Sequence, residues 1–454
     1  MQENQKTLIY LGVAAVLAII AFFVAPTRIT SDVFGDQGEI FYPDFTDPNI
    51  ATTLEVVQFD ESSATTVPFK VTFTNGVWTI PSHHNYPADG KERLAKTAAG
   101  LIGIKKDDFR TDNVAMHESF HLVDPLDDAA GIEGRGTRVT VKGAGDEILA
   151  DYIIGDQVEG RQGIRFVRTP GSSRVYAARM DLDLSTRFED WIETDLLETA
   201  VHRIEKVVLK DYSIDERTLS LKNRDQLTLT KDDKDEWRAD KMGSGKTCDS
   251  TTLHQLLNTI DSLTIVGVRP KPAGLSAALQ RAEGGESISQ SDAISLQSKG
   301  FYFSRDGRLL SNEGELEIYT KDGVLYTLRF GEVVYGTGKA VTSGLTADDS
   351  AGQDGPAENR YLFISAALEP SLLPEPPKPT DTSFVGKADS LLSEADKANR
   401  EKQRRHDTWK RSLENGTQKV TQLNGRFAEW YYVISAESYD KLHVTRQELV
   451  VDKS

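Results

Sequence analysis

Ile154-Gly155-Asp156-Gln157-Val158-Glu159-Gly160 reads IGDQVEG, and 176 residues further on Phe330-Gly331-Glu332-Val333-Val334-Tyr335-Gly336 reads FGEVVYG. Each copy follows a strand-like run, residues 148–154 in the first and 324–330 in the second. A bulky residue, a glycine, an acid, a valine and a second glycine recur in register, so the chain carries two versions of one module. Gly155 and Gly331 read as positions where a strand ends or bulges and needs freedom that a side chain would deny. Asp156 and Glu332 then fall on the turn side, suited to hydrogen bonding or solvation. The motif, with Gly160 and Gly336 closing its two copies, is a signature of fold and names no chemistry.

Outward from the motif the two halves follow one order. Residues 52–60 read as a strand, 67–74 alternate as another, and Asn75-Gly76 turns the chain into 77–80. Residues 89–104 form a helix with Leu94, Ala98, Leu101 and Ile102 on one face. A hairpin over 137–141 and 148–154 turns at Gly143 and Gly145, strands follow at 164–167 and 174–176, and 187–197 closes the module as a helix. In the second half 204–209 (IEKVVL) matches 54–59 (LEVVQF), and runs at 219–221 and 227–230 alternate like a hairpin. Trp237 stands where Trp78 stands, both read as core anchors, and 249–263 is the helix. Residues 316–319 and 324–330 form the hairpin, and 360–365 is the counterpart of 164–167. The second copy carries polar insertions at 281–299 and 337–359, the latter read as a mobile loop.

Residues 371–386 are a proline-rich linker. Beyond it, 387–427 is a charged helical stretch whose apolar positions, among them Trp409, Leu413, Val420, Leu423 and Phe427, follow helical spacing. Its middle, around 400–405, is polar all round, so the helix is partly covered and has a side free to meet a partner. Residues 430–435 (WYYVIS) read as a buried strand. The expected fold is α+β: two tandem modules of antiparallel hairpins with a packing helix, 52–198 and 201–370, then a C-terminal helix-and-strand segment, 387–454.

Residues 8–25 (LIYLGVAAVLAIIAFFVA) form an uncharged run of 18 residues, at the short end for a bilayer-crossing helix. Only one lysine, Lys6, precedes it, and Phe23 breaks the small-residue rule for a cut after Ala25, so the expectation is an uncleaved transmembrane anchor and not a signal peptide. Residues 1–7 are a short tail and 26–51 a stalk. Lys6 favours an inside N-terminus against Arg28, which puts the bulk of a single-pass protein on the extracytoplasmic side of the inner (cytoplasmic) membrane. The chain of 454 residues holds 70 acids against 53 lysines and arginines, net charge −17, and such a chain repels phosphate backbones, so nucleic acid is not an expected partner. Cys248 is the one cysteine, which excludes an intrachain disulfide and cysteine-rich zinc frameworks.

Candidate chemistry is thin. His117-Glu118-Ser119-Phe120-His121 is a formal H-E-x-x-H, which on a long helix would aim two imidazoles at a zinc ion and a glutamate at its water. Here Val123-Asp124-Pro125 stops any helix, strands follow, and the second copy has no histidine at the matching place, 273–279. His117, Glu118 and His121 are therefore read as a surface turn and not as metal ligands. Gly243-Ser244-Gly245-Lys246-Thr247 imitates a phosphate loop, yet Asp240 stands where its first glycine belongs. It reads as a connection to a helix capped by Thr247 or Asp249. His83-His84 reads as a solvated loop pair, and 348–354 lacks the acid pattern of a calcium loop. No catalytic residue, metal site or cofactor is expected.

The anchor, the two strand ends IGDQVEG and FGEVVYG, the element Val123-Asp124-Pro125-Leu126 and the tail WYYVIS together resemble a bacterial family catalogued as domain of unknown function 4340. The anchored two-copy form with this tail is similar to planctomycete-type members, over roughly 52–449. The resemblance implies an α+β fold and a link to ABC-transporter systems of the gliding-motility type. It supplies no catalytic residues. Three functions are weighed on this basis: an accessory or scaffolding protein of a membrane assembly, which is preferred; a ligand-binding or sensor module using a cleft between the modules; and a membrane-tethered zinc hydrolase, which is disfavoured.

Overall fold

The structure, a computed structural model, describes residues 13, 14, 17, 35–61, 64–215, 218, 220–232, 234–280, 288–304, 307–335, 341–342 and 358–453. The expected anchor, apart from Val13, Ala14 and Leu17, lies outside the described residues, as do Gly336 and most of the 337–359 insertion. Among the described residues no helix is long and apolar enough to cross a membrane.

The first module is a nine-stranded antiparallel sheet. Its strands are β1 (Thr53–Asp60), β2 (Thr65–Thr74), β3 (Val77–Ile80), β4 (Tyr86–Pro87), β5 (Asp108–Thr111), β6 (Thr137–Lys142), β7 (Ile148–Gln157), β8 (Ile164–Arg168) and β9 (Val175–Arg179). Their order is β4-β3-β2-β1-β6-β7-β8-β9-β5. Helix α1 (Lys91–Leu101) buries Leu94, Thr97, Ala98 and Leu101.

The second module begins with β10 (Ile204–Asp215), β11 (Ser220–Lys231), β12 (Trp237–Ala239), β13 (Lys246–Cys248), α2 (Ser250–Asp261), β14 (Gly267–Pro270), α3 (Ala273–Gln280) and α4 (Gln290–Gln297). It continues with β15 (Phe301–Phe303), β16 (Leu309–Ser311), β17 (Glu315–Thr320), β18 (Val324–Val334), β19 (Asn359–Leu368), α5 (Glu394–Ala428), β20 (Trp430–Ile434), α6 (Ala436–Leu442), α7 (Arg446–Leu449) and β21 (Val450–Asp452). Eight of these strands form an antiparallel sheet in the order β12-β11-β10-β17-β18-β19-β20-β14. Place by place, β10 to β12 correspond to β1 to β3, β17 and β18 to β6 and β7, β19 to β8, and the edge strand β14 to β5.

That correspondence puts β20 in the place of β9. The tail strand, set apart by sequence in a C-terminal segment, is an inner strand of the second sheet, paired with β19 on one side and β14 on the other. In the first module residues 169–174 join the two corresponding strands; in the second, 369–429 do so and include α5. The long helix is thus an insertion into one hairpin. Trp430, Tyr432 and Ile434 face the main core while Tyr431 and Val433 face small clusters on the opposite side. A strand buried on both faces is apolar throughout, so its pattern cannot announce its neighbours.

Two local readings are corrected. Of the runs 219–221 and 227–230, all but residue 219, which lies outside the described residues, belong to the single strand β11, whose outer half Ser220–Gln226 is exposed and has no alternation to read. Pairing with β10 carries it past a bulge at Asp211/Tyr212. Within 187–197 the helical part is the short 3-10 turn Phe188–Trp191. The Trp191 carbonyl accepts from Asp89 N at 2.9 Å, which removes it from any continuing helix, and its indole donates to Ser185 O at 2.9 Å.

The two modules share one apolar core, running from Leu54, Val71 and Tyr152 through Trp191 to Val207, Leu328 and Phe427. Tyr86 of the first meets Trp430 of the second edge to face, ring centroids 5.0 Å apart.

Candidate functional site

The repeated motif occupies one structural position twice. Pairing shifts register between Ile154 and Gln157 on β7 and between Phe330 and Val333 on β18, so each copy is a bulge within a strand that continues to Gln157 or Val334. Neither Gly155 nor Gly331 has a positive φ; each makes room for a crossing backbone. A Cβ on Gly155 would lie 2.1 Å from Phe120 O, and one on Gly331 2.1 Å from Lys299 O. Arg165 and Arg360, at matching positions on β8 and β19, donate to the Gly155 and Gly331 carbonyls at 2.9 and 3.3 Å. Asp156 pairs with His121 at 2.7 Å, both exposed, and Glu332 accepts from the Asn312 amide. Gly160 is a turn glycine with φ +70°. These are positions of architecture.

His117 and His121 are not gathered. The segment holds two 3-10 turns, Val114–Met116 and Glu118–Phe120, and His121 ends it in the left-handed region with φ 51°. His117 is buried with Nε2 2.9 Å from Ser173 O, and burial pushes its pKa below the ordinary histidine value. His121 turns outward to Asp156. Glu118 packs its backbone against Gly134, where a Cβ would meet Glu118 O at 2.5 Å. The neighbouring Asp124 accepts from Arg138 at 3.1 Å, and Arg135 holds the loop by donating to the carbonyls of Pro125, Asp127, Ala130 and Gly131. His83 stacks on Phe188 at 4.6 Å. The phosphate-loop mimic is a turn at 243–245 that enters β13 at Lys246: β13 pairs with β21, and Lys246 is ion-paired to Asp452 at 2.7 Å. Asp249 caps α2 by accepting from Thr252 N at 2.7 Å.

The structure instead points to the long helix. Ser393 and Asp396 form a reciprocal capping box that starts α5. At some 1.5 Å per residue its 35 residues span about 50 Å. The C-terminal half is docked. Lys419 bridges Asp322 (3.0 Å) and Glu198 O (2.8 Å), Asn424 brackets the backbone of Ala366 with two bonds, and Leu423 and Phe427 enter the core. Gly416 permits this crossing, since a Cβ there would lie 2.9 Å from Leu368 Cδ1 and 3.0 Å from Asp322 O.

The N-terminal half is held by the proline-rich segment, which runs antiparallel to it as a strap. Trp409 Nε1 donates to Leu373 O at 2.8 Å, His406 Nε2 lies 3.2 Å from Glu375, Thr380 N donates to Asn399 Oδ1 at 3.1 Å, and Lys387 meets Asp396 at 2.9 Å. Hydrogen bonds from Lys387, Ser383 and Ser393 hold the Asp396 carboxyl well below the usual carboxylate range. Among the described residues, every hydrogen bond or ion pair that links 394–412 to another element ends within 373–389. Prolines 374, 376, 377 and 379 fix φ and lack an N–H, which favours an extended strap, and the indole takes the carbonyl of Leu373 just before them.

Strap and helix together line an open groove of about 650 Å³. Its lining is Leu372, Pro374 and Pro376 from the strap end and, from α5, the half-buried Trp409 with Arg404, Arg405 and Arg411. Sequence reading found the partly covered helix and the proline break separately. Their contact was not legible, although the one tryptophan in an otherwise charged helical stretch marked where something would pack.

Two further cavities flank the core. A cleft of about 470 Å³ between the modules is lined by Tyr86, Asp89, Glu193, Glu198, Arg426 and Glu429 among others, with Arg426 already paired to Glu198 at 3.2 Å. A smaller one of about 200 Å³ holds buried Lys271, which caps the end of α5 by donating to Phe427 O at 2.8 Å and lies 3.9 Å from the Phe363 ring centroid. Burial pushes this amine well below the ordinary lysine range.

No curated protein and no solved structure matches the chain. Residues 78–278, from β3 through the first module and on into α3 of the second, match the model of a family described as a domain of unknown function, DUF4340.

Proposed function

We propose that this chain is a non-enzymatic accessory or scaffolding protein, anchored in a bacterial membrane through residues 8–25 and serving an assembly of the ABC-transporter type. The observation that carries the reading is the arm made by the strap and the N-terminal half of α5: it is ordered by a capping box and a ladder of bonds, and among the described residues the hydrogen bonds and ion pairs of that half-helix to other elements go to the strap alone. A structured, charged projection inserted into one of two otherwise similar modules suits attachment to another protein. Affinity capture of the full-length chain from membranes tests it, comparing the parent with a variant in which Arg404, Arg405 and Arg411 are each changed to Glu. Transporter subunits captured by the parent and lost from the variant support the reading; recovery of no transporter subunit with the parent refutes it. Deleting 387–454 would be a poor test, because it removes β20 from between β19 and β14.

The second reading is an extracytoplasmic ligand-binding or sensor module. It is favoured by the acid-lined cleft between the modules, whose Asp89, Glu193 and Glu429 would suit a small cation. Calorimetry with putrescine checks it, and an absence of saturable heat counts against it. The cleft ranks second because its arginine is already committed to Glu198.

A further inference from the structure

We propose that the groove between the strap and α5 binds an extended acidic peptide carrying a bulky apolar side chain, supplied by the partner protein. This deepens the docking reading and rests on it. The first observation is charge. In a chain of net charge −17, residues 397–411 hold seven lysines and arginines against two acids, Glu401 and Asp407. Glu401 is shared between Arg404 and Arg405, at 3.0 and 3.1 Å, so one carboxylate serves two guanidiniums. Arg411 bonds the Asp407 carbonyl of its own helix at 3.3 Å. Lys397 and Arg400 are paired to Glu394 and Asp389 just outside this stretch, so the excess lies at the groove itself, where, among the described residues, Arg404, Arg405 and Arg411 line it with Glu401 as the one acid, in a protein of net negative charge. Guanidiniums of this kind bind carboxylates through two parallel bonds, which favours an acidic side chain over a diffuse negative charge.

The second observation is shape. Trp409 spends its indole N–H on Leu373 O, so what it offers the groove is its ring, beside Leu372, Pro374 and Pro376. A ring flanked by proline is an anchor for an aliphatic or aromatic side chain. A volume of about 650 Å³ suits a short segment and not a whole helix. The apolar wall is recessed between two elements, whereas a bilayer presents a flat face. A lining that combines proline and tryptophan with arginine suits a peptide.

The probe is a fluorescein-labelled peptide of sequence Glu-Glu-Leu-Glu-Glu-Phe-Glu, read by fluorescence anisotropy against the full-length chain in neutral-lipid nanodiscs. The parent binds it saturably and fails to bind the version with Lys in place of Glu. The triple variant Arg404→Glu, Arg405→Glu, Arg411→Glu weakens binding at least tenfold, as does Trp409→Ala, and added salt weakens it progressively. The three arginines sit on the outside of a capped helix, so the triple variant keeps the parent's circular dichroism and remains informative even where Trp409→Ala loosens the arm. Absence of saturable binding by the parent, or equal binding by the triple variant, overturns the proposal. So does flotation with anionic phosphatidylglycerol vesicles that the triple variant loses, if the peptide does not compete, because the patch is then a membrane contact. Transporter capture that persists without peptide binding refutes the peptide alone; peptide binding without transporter capture refutes the assembly alone.

Discussion

Changing Gly155 to Ala is the sharpest perturbation of the fold. The new Cβ would sit 2.1 Å from Phe120 O, 2.8 Å from His121 O and 3.1 Å from Leu122 Cδ2. Two of those atoms are backbone, so no rotamer change relieves the clash. Bringing a carbon from 2.1 Å to ordinary contact moves one segment by more than about 1 Å, and cores forced to accept an extra methyl lose typically 1–3 kcal/mol and occasionally more. The movement also works against the bond from Arg165 to Gly155 O at 2.9 Å. The upper end, about 3 kcal/mol, is the expected loss. With an unfolding entropy of about 2.1 cal/mol/K per residue, that loss lowers Tm by roughly 10 °C for a unit of about 150 residues and roughly 4 °C for one of about 400. The shared core favours the larger unit and the smaller drop. Thermal melts followed by circular dichroism, with urea titrations for the free energy, provide the measurement. Gly160→Ala is the control: its surroundings are open but its φ is +70°, so only the left-handed conformation is penalised, by about 1–2 kcal/mol. A Gly155→Ala protein melting with the parent, or losing no more than Gly160→Ala, would refute the reading of this glycine as a backbone crossing.

Gly425→Ala should stabilise the chain by up to about 1 kcal/mol, since the position lies inside α5 with nothing within 4 Å of a new Cβ; a lower urea midpoint would contradict this. His117 and His443 both have pKa values depressed, foremost by burial. The unfolded chain therefore takes up these protons first, so their stabilising effect is full above the unfolded histidine value of about 6.5 and declines as pH falls below it. The urea midpoint is expected to fall between about pH 7 and about pH 5, and the fall should shrink in a His117→Asn, His443→Asn double variant; an unchanged slope would reject the assignment. Purified chain is expected to carry no stoichiometric zinc by elemental analysis, because His117 is directed to Ser173 O and His121 to Asp156; one zinc per chain, lost in His117→Ala, would overturn that expectation.

What the sequence made legible was whatever is encoded locally. The hairpin over β6 and β7, its partner over β17 and β18 and the helices α1 and α2 each carry their pattern within a dozen residues, alternating or helical, and the repeated glycine fixed their correspondence. The bulge reading of Gly155 and Gly331 came from the same local signal. What escaped it was set by distant contacts. Residues 187–197 have the apolar spacing of a helix, yet one bond from Asp89 across the core ends the helix at Trp191. The outer half of β11 has no apolar face and is held by its neighbour's backbone. The connection at 243–245 and the Asp249 cap were read locally, but the short strand β13 between them was not, because its partner, β21, lies two hundred residues away.

The arm is the extreme case, and it explains why the two modules differ as they do. A six-residue connection suffices to join β8 to β9, and the same join in the second sheet has grown to 369–429 without breaking the sheet. Such growth is thermodynamically cheap, because closing a loop costs free energy only as the logarithm of its length. It is structurally tolerable because both ends are fixed: β19 and β20 pair directly, and Lys419, Asn424 and Gly416 seat the returning half of the helix on the sheet. The outgoing half contributes no core residue, while its strap and capping box keep it ordered. The outgoing half is thus ordered without entering the core, and the docking proposed for it falls on Arg404, Trp409 and Pro374 and not on the motif that first revealed the fold.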